Sequence, residues 1–558
     1  MRNSVLFSSA LFSLALLSAA VFLTACSETA RSKAAESSFE NALANNAWFV
    51  AARKQIENKA DVFSSKSGQA KNIILFIGDG MSLSTIAAAR IMEGQQRGES
   101  GEENQLSFER FPYIGLAKTY NVDAQTPDSA GTMTAMMSGV KTDMGLVGLT
   151  EFARRGHCEP GQHQAPTALE YAELAGMATG IVTTTRITHA TPAATYAHSA
   201  DRNWEDISDM PEATIRAGCL DIADQFIRFP QLTTERYGIE VDGPEVVFGG
   251  GRRHFLPKNS EFNSADAVSA IEGDRTDGRH LIDEWKSAHP QGLVLFDQTG
   301  FNQLTKNNIG GPVFGLFNES HMRFEADRAN DISGEPSLSE MTNKAIELLE
   351  DNKNGYFLMV ESGRIDHAHH VGSAFNALNE TVELAEAVRI ATEKTDADDT
   401  LIIVTADHGH VMTFAGYPRR GNPILGKVVN PGENQAMLAA DGMPYTTLSY
   451  ANGLGYYEDS SNDTGDDPEA RYASPHAHGR HDLSKVDTEA HGYHQEALVP
   501  LSAETHSGED VAVYARGPGA ELVSGAYEQN VIFHVMNRAA SLTEKAAARL
   551  AESNIVKN

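Results

Sequence analysis

The chain has 558 residues, 41% hydrophobic and 22% charged, which suits a soluble globular protein with one large domain and insertions. Its formal net charge is −30 at pH 7, and no clustered basic surface is visible, which excludes nucleic-acid binding as a function. An anionic substrate would need local cations to reverse the field at its site.

Residues 1–25 read as an export signal: Met1-Arg2 is a basic start, residues 5–23 are mainly apolar, and Leu23-Thr24-Ala25-Cys26 closes the segment. Those four residues resemble the lipobox of bacterial lipoproteins, which implies cleavage before Cys26 and lipidation of its thiol. The expected product is lipid-anchored and faces the periplasm or cell surface, with Ser27 pointing to the outer membrane. The plainer alternative is an ordinary signal peptide or membrane anchor. Residues 26–70 read as a polar tether leading into a helix over about 39–56, and the main domain spans 71–540. Once Cys26 is set aside, Cys158 and Cys219 form an even pair in an oxidising compartment, so one disulfide is expected; two separate thiols are the alternative.

Three apolar runs organise the main domain. Ile73-Ile74-Leu75-Phe76-Ile77 leads into Gly78-Asp79-Gly80, Tyr356-Phe357-Leu358-Met359-Val360 into Glu361, and Leu401-Ile402-Ile403-Val404 towards Asp407-His408-Gly409-His410. Short unbroken runs of this kind read as strands buried on both faces, and residues 180–184 add another. Helices are expected from Met133 to about 140, over 339–349 and over 375–392, where apolar residues recur three and four apart. The fold class is α/β: a doubly wound, largely parallel central sheet with helices on both faces. Residues 412–500 change character to Gly, Pro, Asn and Asp, and read as a surface insertion. Its His476, His478, His481, His491 and His494 are irregularly spaced, which favours a solvated loop over a further metal site. Residues 541–558 read as a C-terminal tail or helix.

In open sheets, ligands sit beyond the carboxyl ends of the strands, and here those ends carry hard oxygen donors and imidazoles, so the expected ligand is metal. Asp366 and His370 are four apart and share one helical face. Asp407 and His408 are adjacent, and can serve one ion only if the chain turns there, which Gly409 eases. In Thr126-Pro127-Asp128-Ser129-Ala130-Gly131-Thr132, Ser129 is the candidate nucleophile, beside a helix start whose free N–H groups suit a phosphate oxygen. Alone, Asp128 or Ser129 would more simply be an N-cap. The pattern lacks a lipase-like nucleophile elbow, which leaves metal activation of the hydroxyl.

Gly78-Asp79-Gly80-Met81, Pro127 to Thr132, Glu361 to His370, Thr405 to Gly409 and Glu504-Thr505-His506 together resemble the alkaline phosphatase family, over about residues 71–535. The resemblance implies a first zinc on Asp366, His370 and His506, and a second on Asp79, Asp407 and His408 beside Ser129. It implies a magnesium on Asp79, Thr191 and Glu361, and a phosphate clamp at Arg202, whose guanidinium can make two parallel hydrogen bonds. His189 and His367 resemble the animal-type arrangement as residues supporting the metals rather than ligands. Cys158 and Cys219 fall where animal-type members carry a disulfide, and the insertion resembles their crown domain capping a homodimer. Their calcium site would lie near Phe317 and Glu335, but Asn318 stands where an acid is expected, which puts calcium in doubt. Ser362 and Ser507 replace family glycines beside ligands.

The implied reaction is two-step hydrolysis of phosphate monoesters through a phosphoserine at Ser129, with an alkaline optimum. Its rivals are a phosphodiesterase or sulfatase of the same superfamily, or a non-catalytic phosphate-binding lipoprotein. Arg202 and a third metal favour a dianionic monoester, because a diester places an esterified oxygen where those groups reach.

Overall fold

The computed structural model describes residues 43, 45–63, 69–458 and 480–556. The export signal, Cys26, most of the tether, His476 and His478 lie outside these residues. Strands β1 (Asn72–Gly78), β2 (Tyr113–Lys118), β3 (Ala178–Arg186), β4 (Val246–Gly250), β5 (Leu293–Leu295), β6 (Val313–Leu316), β7 (Tyr356–Ser362) and β8 (Thr400–Ala406) precede the insertion. Seven short strands follow: β9 (Gly409–His410), β10 (Met412–Phe414), β11 (Leu448–Gly453), β12 (Tyr457–Glu458), β13 (Tyr493–His494), β14 (Ala497–Pro500) and β15 (His506–Ser507). Then β16 (Val511–Arg516) and β17 (Gly525–Glu528) return to the main sheet.

That sheet has ten strands in the order β17-β2-β16-β8-β1-β7-β3-β4-β6-β5. From β8 to β5 every pairing is parallel, and β16 runs antiparallel to both of its neighbours. Ile73 to Ile77 of β1 are fully buried because β7 and β8 flank the strand and helices cover both faces. This is why the run carries no polar alternation.

The Leu338–Leu349, Ala374–Lys394 and Leu83–Gln96 helices pack on one another and against the central strands. A separate group, including Ser129–Ser138, Ala168–Leu174, Ala190–Tyr196 and Val531–Ala540, covers the same strands without joining the first, so the two groups lie on opposite faces. Local chemistry fixes the helix starts. Ser337 and Glu340 form a reciprocal capping box, and Ser82 and Ser373 cap their helices through side-chain oxygens.

The sequence expectation for the N-terminal helix is shifted. The described helix spans Ala47–Phe63, past the expected end at 56, and Asn46 caps its start by accepting from the Trp48 and Phe49 amides; residues 39–42 and 44 of the expected span lie outside the described residues. A disulfide joins Cys158 to Cys219, with Cα atoms 6.0 Å apart. Within 412–500, β10, β11 and β14 form a small separate sheet. His481 stacks on Tyr456, His491 meets Asn376 and His494 bonds the Val371 carbonyl, so these three histidines diverge. Among the described residues, no helix is long and apolar enough to cross a membrane.

Candidate metal centre and active site

Register brings the acids to one level. Gly78 pairs with Ser362 on one side and Ala406 on the other, so Asp79, Glu361 and Asp407 emerge together at the carboxyl edge. This is also where the strand order departs from β1 in two directions, the topological switch point at which open α/β sheets bind ligands. Ser129 is the first residue of the Ser129–Ser138 helix and is 1% exposed. Asp128 caps that helix by accepting from the Gly131 amide at 3.1 Å. The N-cap reading therefore holds for Asp128, and Ser129 stands next to it as the first residue of the helix.

One donor group comprises Asp366, His370, His410 and His506. His370 Nδ1 lies 2.7 Å from the Glu504 carbonyl, and His506 Nδ1 lies 2.8 Å from the Pro127 carbonyl. A carbonyl only accepts, so both Nδ1 atoms carry a proton, and each ring in its neutral form presents the Nε2 lone pair. Those two Nε2 atoms are 3.2 Å apart, and lie 3.3 and 3.2 Å from Asp366 Oδ1. Three lone-pair donors converging without a proton between them fit a cation. His410 differs: Nε2 reaches Asp366 at 2.7 Å and Nδ1 reaches Glu504 Oε2 at 2.5 Å. Burial lowers its pKa, but the two carboxylates outweigh that and raise it to about 10, so it is an imidazolium that orients Asp366 rather than a ligand.

The second group is Asp79, Asp407 and His408, all fully buried. His408 Nε2 lies 3.4 Å from Asp79 Oδ1, 3.3 Å from Asp407 Oδ2 and 3.1 Å from Ser129 Oγ. The chain does turn after β8, so neighbouring Asp407 and His408 face one point; the Gly80 amide holds Asp407 Oδ1 at 3.0 Å. Burial, then Asp407, Asp366 and Glu361, push the Asp79 carboxyl well above its ordinary value, and burial raises Asp407 too.

Asp79, His189 and Glu361 form a third group, with Thr191 Oγ1 at 3.5 Å from Asp79 Oδ2. Thr183 and Thr185 hydroxyls bond Glu361 Oε2 at 2.5 and 3.1 Å, while buried Oε1 has no hydrogen-bond partner among the described residues. Burial, with repulsion from Asp407, raises Glu361 to about 7. Carboxylates packed this closely cannot all ionise without positive charge, so all three groups fit bound divalent cations. Around Glu335, by contrast, Asn318 Nδ2 and the Arg323 amide supply donors, and no group of three acid or histidine donors among the described residues includes it.

Arg202 faces the same cavity of about 520 Å³ as Ser129, Asp366, His370 and His506. Its Nη1 donates to Asp128 Oδ2 at 3.1 Å and its Nη2 to His189 Nε2 at 3.1 Å. Accepting at Nε2 leaves the His189 proton on Nδ1, which suits it as a donor near the third group rather than as a ligand. His367 accepts from Arg364 at 3.0 Å and packs edge-on against His189 and His321.

The alkaline phosphatase family profile matches residues 70–542. The tissue-nonspecific alkaline phosphatase isozyme of Gallus gallus is 42% identical over 499 residues, covering 89% of this chain and 89% of its own length. That of Homo sapiens is 40% identical over 500 residues, covering 89% and 88%. The chain belongs to the alkaline phosphatase family. The crystal structure of Thermus thermophilus alkaline phosphatase shares the fold, with a TM-score of 0.57 at 24% identity, covering 87% of this chain and 95% of its own. Alkaline phosphatase from the Antarctic bacterium TAB5 gives 0.53 at 22%, covering 85% and 99%.

As a family member, the chain is a metal-dependent phosphate monoesterase. In the sequence Asp128 read only as a possible N-cap, and His410 and Glu504 had no assigned role; in the fold Asp128 holds Arg202, and His410 and Glu504 hold Asp366. His410 sits two residues after His408 in the acid-histidine cluster, so the signal was visible; its double carboxylate clasp needed three-dimensional contacts. Of the two serines expected to replace glycines, Ser362 Oγ donates to the Glu380 carbonyl at 3.4 Å, whereas Ser507 pairs with Gly409 across β15 and β9 and its buried Oγ has no hydrogen-bond partner among the described residues.

Proposed function

We propose that this alkaline phosphatase hydrolyses monoesters through a phosphoserine at Ser129, with Arg202 clamping two phosphate oxygens. Ser129 and Arg202 share one cavity with Asp366, His370 and His506, and Ser129 Oγ lies 3.1 Å from His408 Nε2 and 3.5 Å from Asp79 Oδ1, which supports the reading. Asp366, His370 and His506 would hold one zinc, Asp79, Asp407 and His408 a second, and Asp79, Thr191 and Glu361 a magnesium, whose hard character suits hydroxyl and carboxylate oxygens. When bound, such cations lower the pKa of the serine hydroxyl and of a water, and offset charge on the phosphate oxygens.

The chain's own groups do the rest. Ser129 Oγ attacks phosphorus in line as the alcohol departs, and water then attacks the phosphoserine to release phosphate. Arg202, anchored by Asp128 and His189, keeps its remaining N–H groups for the substrate. His410 and Glu504 fix Asp366, and the Glu504 and Pro127 carbonyls fix the tautomers of His370 and His506.

Acid-quenched turnover of a labelled monoester should leave phosphate on the peptide containing Ser129, and Ser129→Ala should abolish both label and turnover. Label elsewhere, or turnover surviving thorough chelation, would overturn the assignment. Preference for bis(p-nitrophenyl) phosphate or for the sulfate ester would support the rival readings. Export as a Cys26-lipidated protein and assembly as a crown-capped homodimer complete the proposal. The Cys158–Cys219 disulfide supports an oxidising compartment. Metabolic lipid labelling of wild type against Cys26→Ala, and the mass of the soluble form in solution, test the two parts.

A further inference from the structure

A fourth donor group lies away from the reaction centre. Asp206, His254 and Asp274 each offer one atom within 4.8 Å of the others, and His254 and Asp274 line the outer part of the cavity that holds Ser129 and Arg202. Three separate segments meet here. Asp206 follows Arg202 by four residues and caps the turn Ile207–Asp209; His254 lies in the turn Arg252–Phe255 after β4; Asp274 lies in the next loop, its amide bonded to the Arg253 carbonyl.

The imidazole is clasped between carboxylates. His254 Nδ1 lies 2.6 Å from Asp206 Oδ2, and Nε2 lies 3.3 Å from Glu205 Oε2. Glu205 is already committed to Arg186, at 2.7 and 2.9 Å, and to Thr188 at 2.6 Å. His254 is 7% exposed, and its Nε2 has no hydrogen-bond partner among the described residues. Burial lowers its pKa, but Glu205 and Asp206 outweigh that and raise it, so the metal-free ring holds a proton between carboxylates. A cation would take the place of the Nδ1 proton, with Glu205 flanking Nε2 as a carboxylate flanks the second nitrogen of a metal-binding imidazole.

Charge balance points the same way. Glu205, Asp209 and Asp274 line the cavity with Arg186 and Arg253, Asp206 adjoins them through His254, and Arg253 is shared with Glu319 at 2.9 Å; the cavity's Arg155 and Arg202 pair with Asp201 and Asp128. Burial, then repulsion from Asp206, pushes the Asp209 carboxyl up to about 6, and the unpaired carboxylates leave a surplus of negative charge. That surplus stands at the mouth of a cavity that must admit a dianion.

We propose that Asp206, His254 and Asp274 bind a divalent cation separate from those of the reaction centre. One imidazole and two carboxylates suit a borderline cation of the zinc or manganese class. Bound there, it ties the loop carrying Arg202 to the loop after β4 and makes the cavity mouth less repulsive to phosphate esters.

The test uses metal-loaded wild type, His254→Gln and Asp274→Asn, each dialysed against zinc and, separately, manganese. Metal content is measured per chain, and anomalous diffraction is recorded at each metal's edge. Wild type should carry one equivalent more than either variant, with an anomalous peak beside His254. Peaks at the Asp366 and Asp79 groups serve as the loading control. Equal metal content in all three proteins, with those control peaks present and none beside His254, would overturn the proposal and leave a protonated imidazole between Glu205 and Asp206. Asp274 has a side chain 34% exposed, so its variant keeps the test open should His254→Gln fail to fold.

Discussion

Replacing Arg202 separates its phosphate clamp from the rest of the site. Of its five N–H donors, one is taken by Asp128 and one by His189, which leaves three for substrate. Two charge-assisted hydrogen bonds to phosphate, each about 1.5–3 kcal/mol, sum to about 3–6 kcal/mol. Arg202→Ala should therefore lower kcat/KM for p-nitrophenyl phosphate by roughly 10²–10⁴-fold. Arg202→Lys keeps the charge without the planar fork, and should lie between the two. Bis(p-nitrophenyl) phosphate has one unesterified oxygen fewer to offer the clamp, so its hydrolysis should fall much less in the same variants. Steady-state kinetics on both esters, with circular dichroism to check folding, gives the ratio. Equal losses on monoester and diester, or a monoester kcat/KM unchanged in Arg202→Ala, would refute the clamp.

Three further outcomes are expected. Glu361 is raised from 4.5 to about 7, so the metal-free fold holds this proton more tightly than the unfolded chain does. Its contribution is present below about pH 4.5 and lost as pH rises to about 7, on the order of 3 kcal/mol. Chelated protein should show a melting temperature falling across that window, with zinc and magnesium removing the fall; a flat profile without metal would count against the crowding of carboxylates. Replacing Cys158 and Cys219 together by Ser opens a loop of sequence separation 61 and should cost about 4 kcal/mol by chain-entropy reasoning, read by denaturant titration. Gly80 has φ +72°, and a Cβ there would stand 2.4 Å from His410 Cδ2. Gly80→Ala should destabilise the protein by about 1–3 kcal/mol and reduce activity by displacing the imidazolium from Asp366, both measurable on purified protein.

Much of the fold was legible in residue patterns because burial acts locally on composition. Ile73 to Ile77 and Leu401 to Val404 lie between two strands and two helical layers, so they tolerate no polar alternation. The Leu338–Leu349 helix announces its start through Ser337 and Glu340, a signal confined to four residues. The start of the Ala47–Phe63 helix was not legible because it depends on Asn46, which is itself held by Glu151 105 positions away.

Residue order and motif alone pointed to the side chains that the folded chain gathers at one site: Asp79, Ser129, Arg202, Glu361, Asp366, His370, Asp407, His408 and His506. Tertiary structure decided how each is held. The tautomers of His370 and His506 depend on carbonyls 134 and 379 positions away, and the charge of His410 on Glu504, 94 positions away. Propensity and periodicity act over a few residues, whereas protonation follows from whichever groups the folded chain presses together. For the same reason Asp206, His254 and Asp274, scattered over three segments, became a group only in the folded molecule.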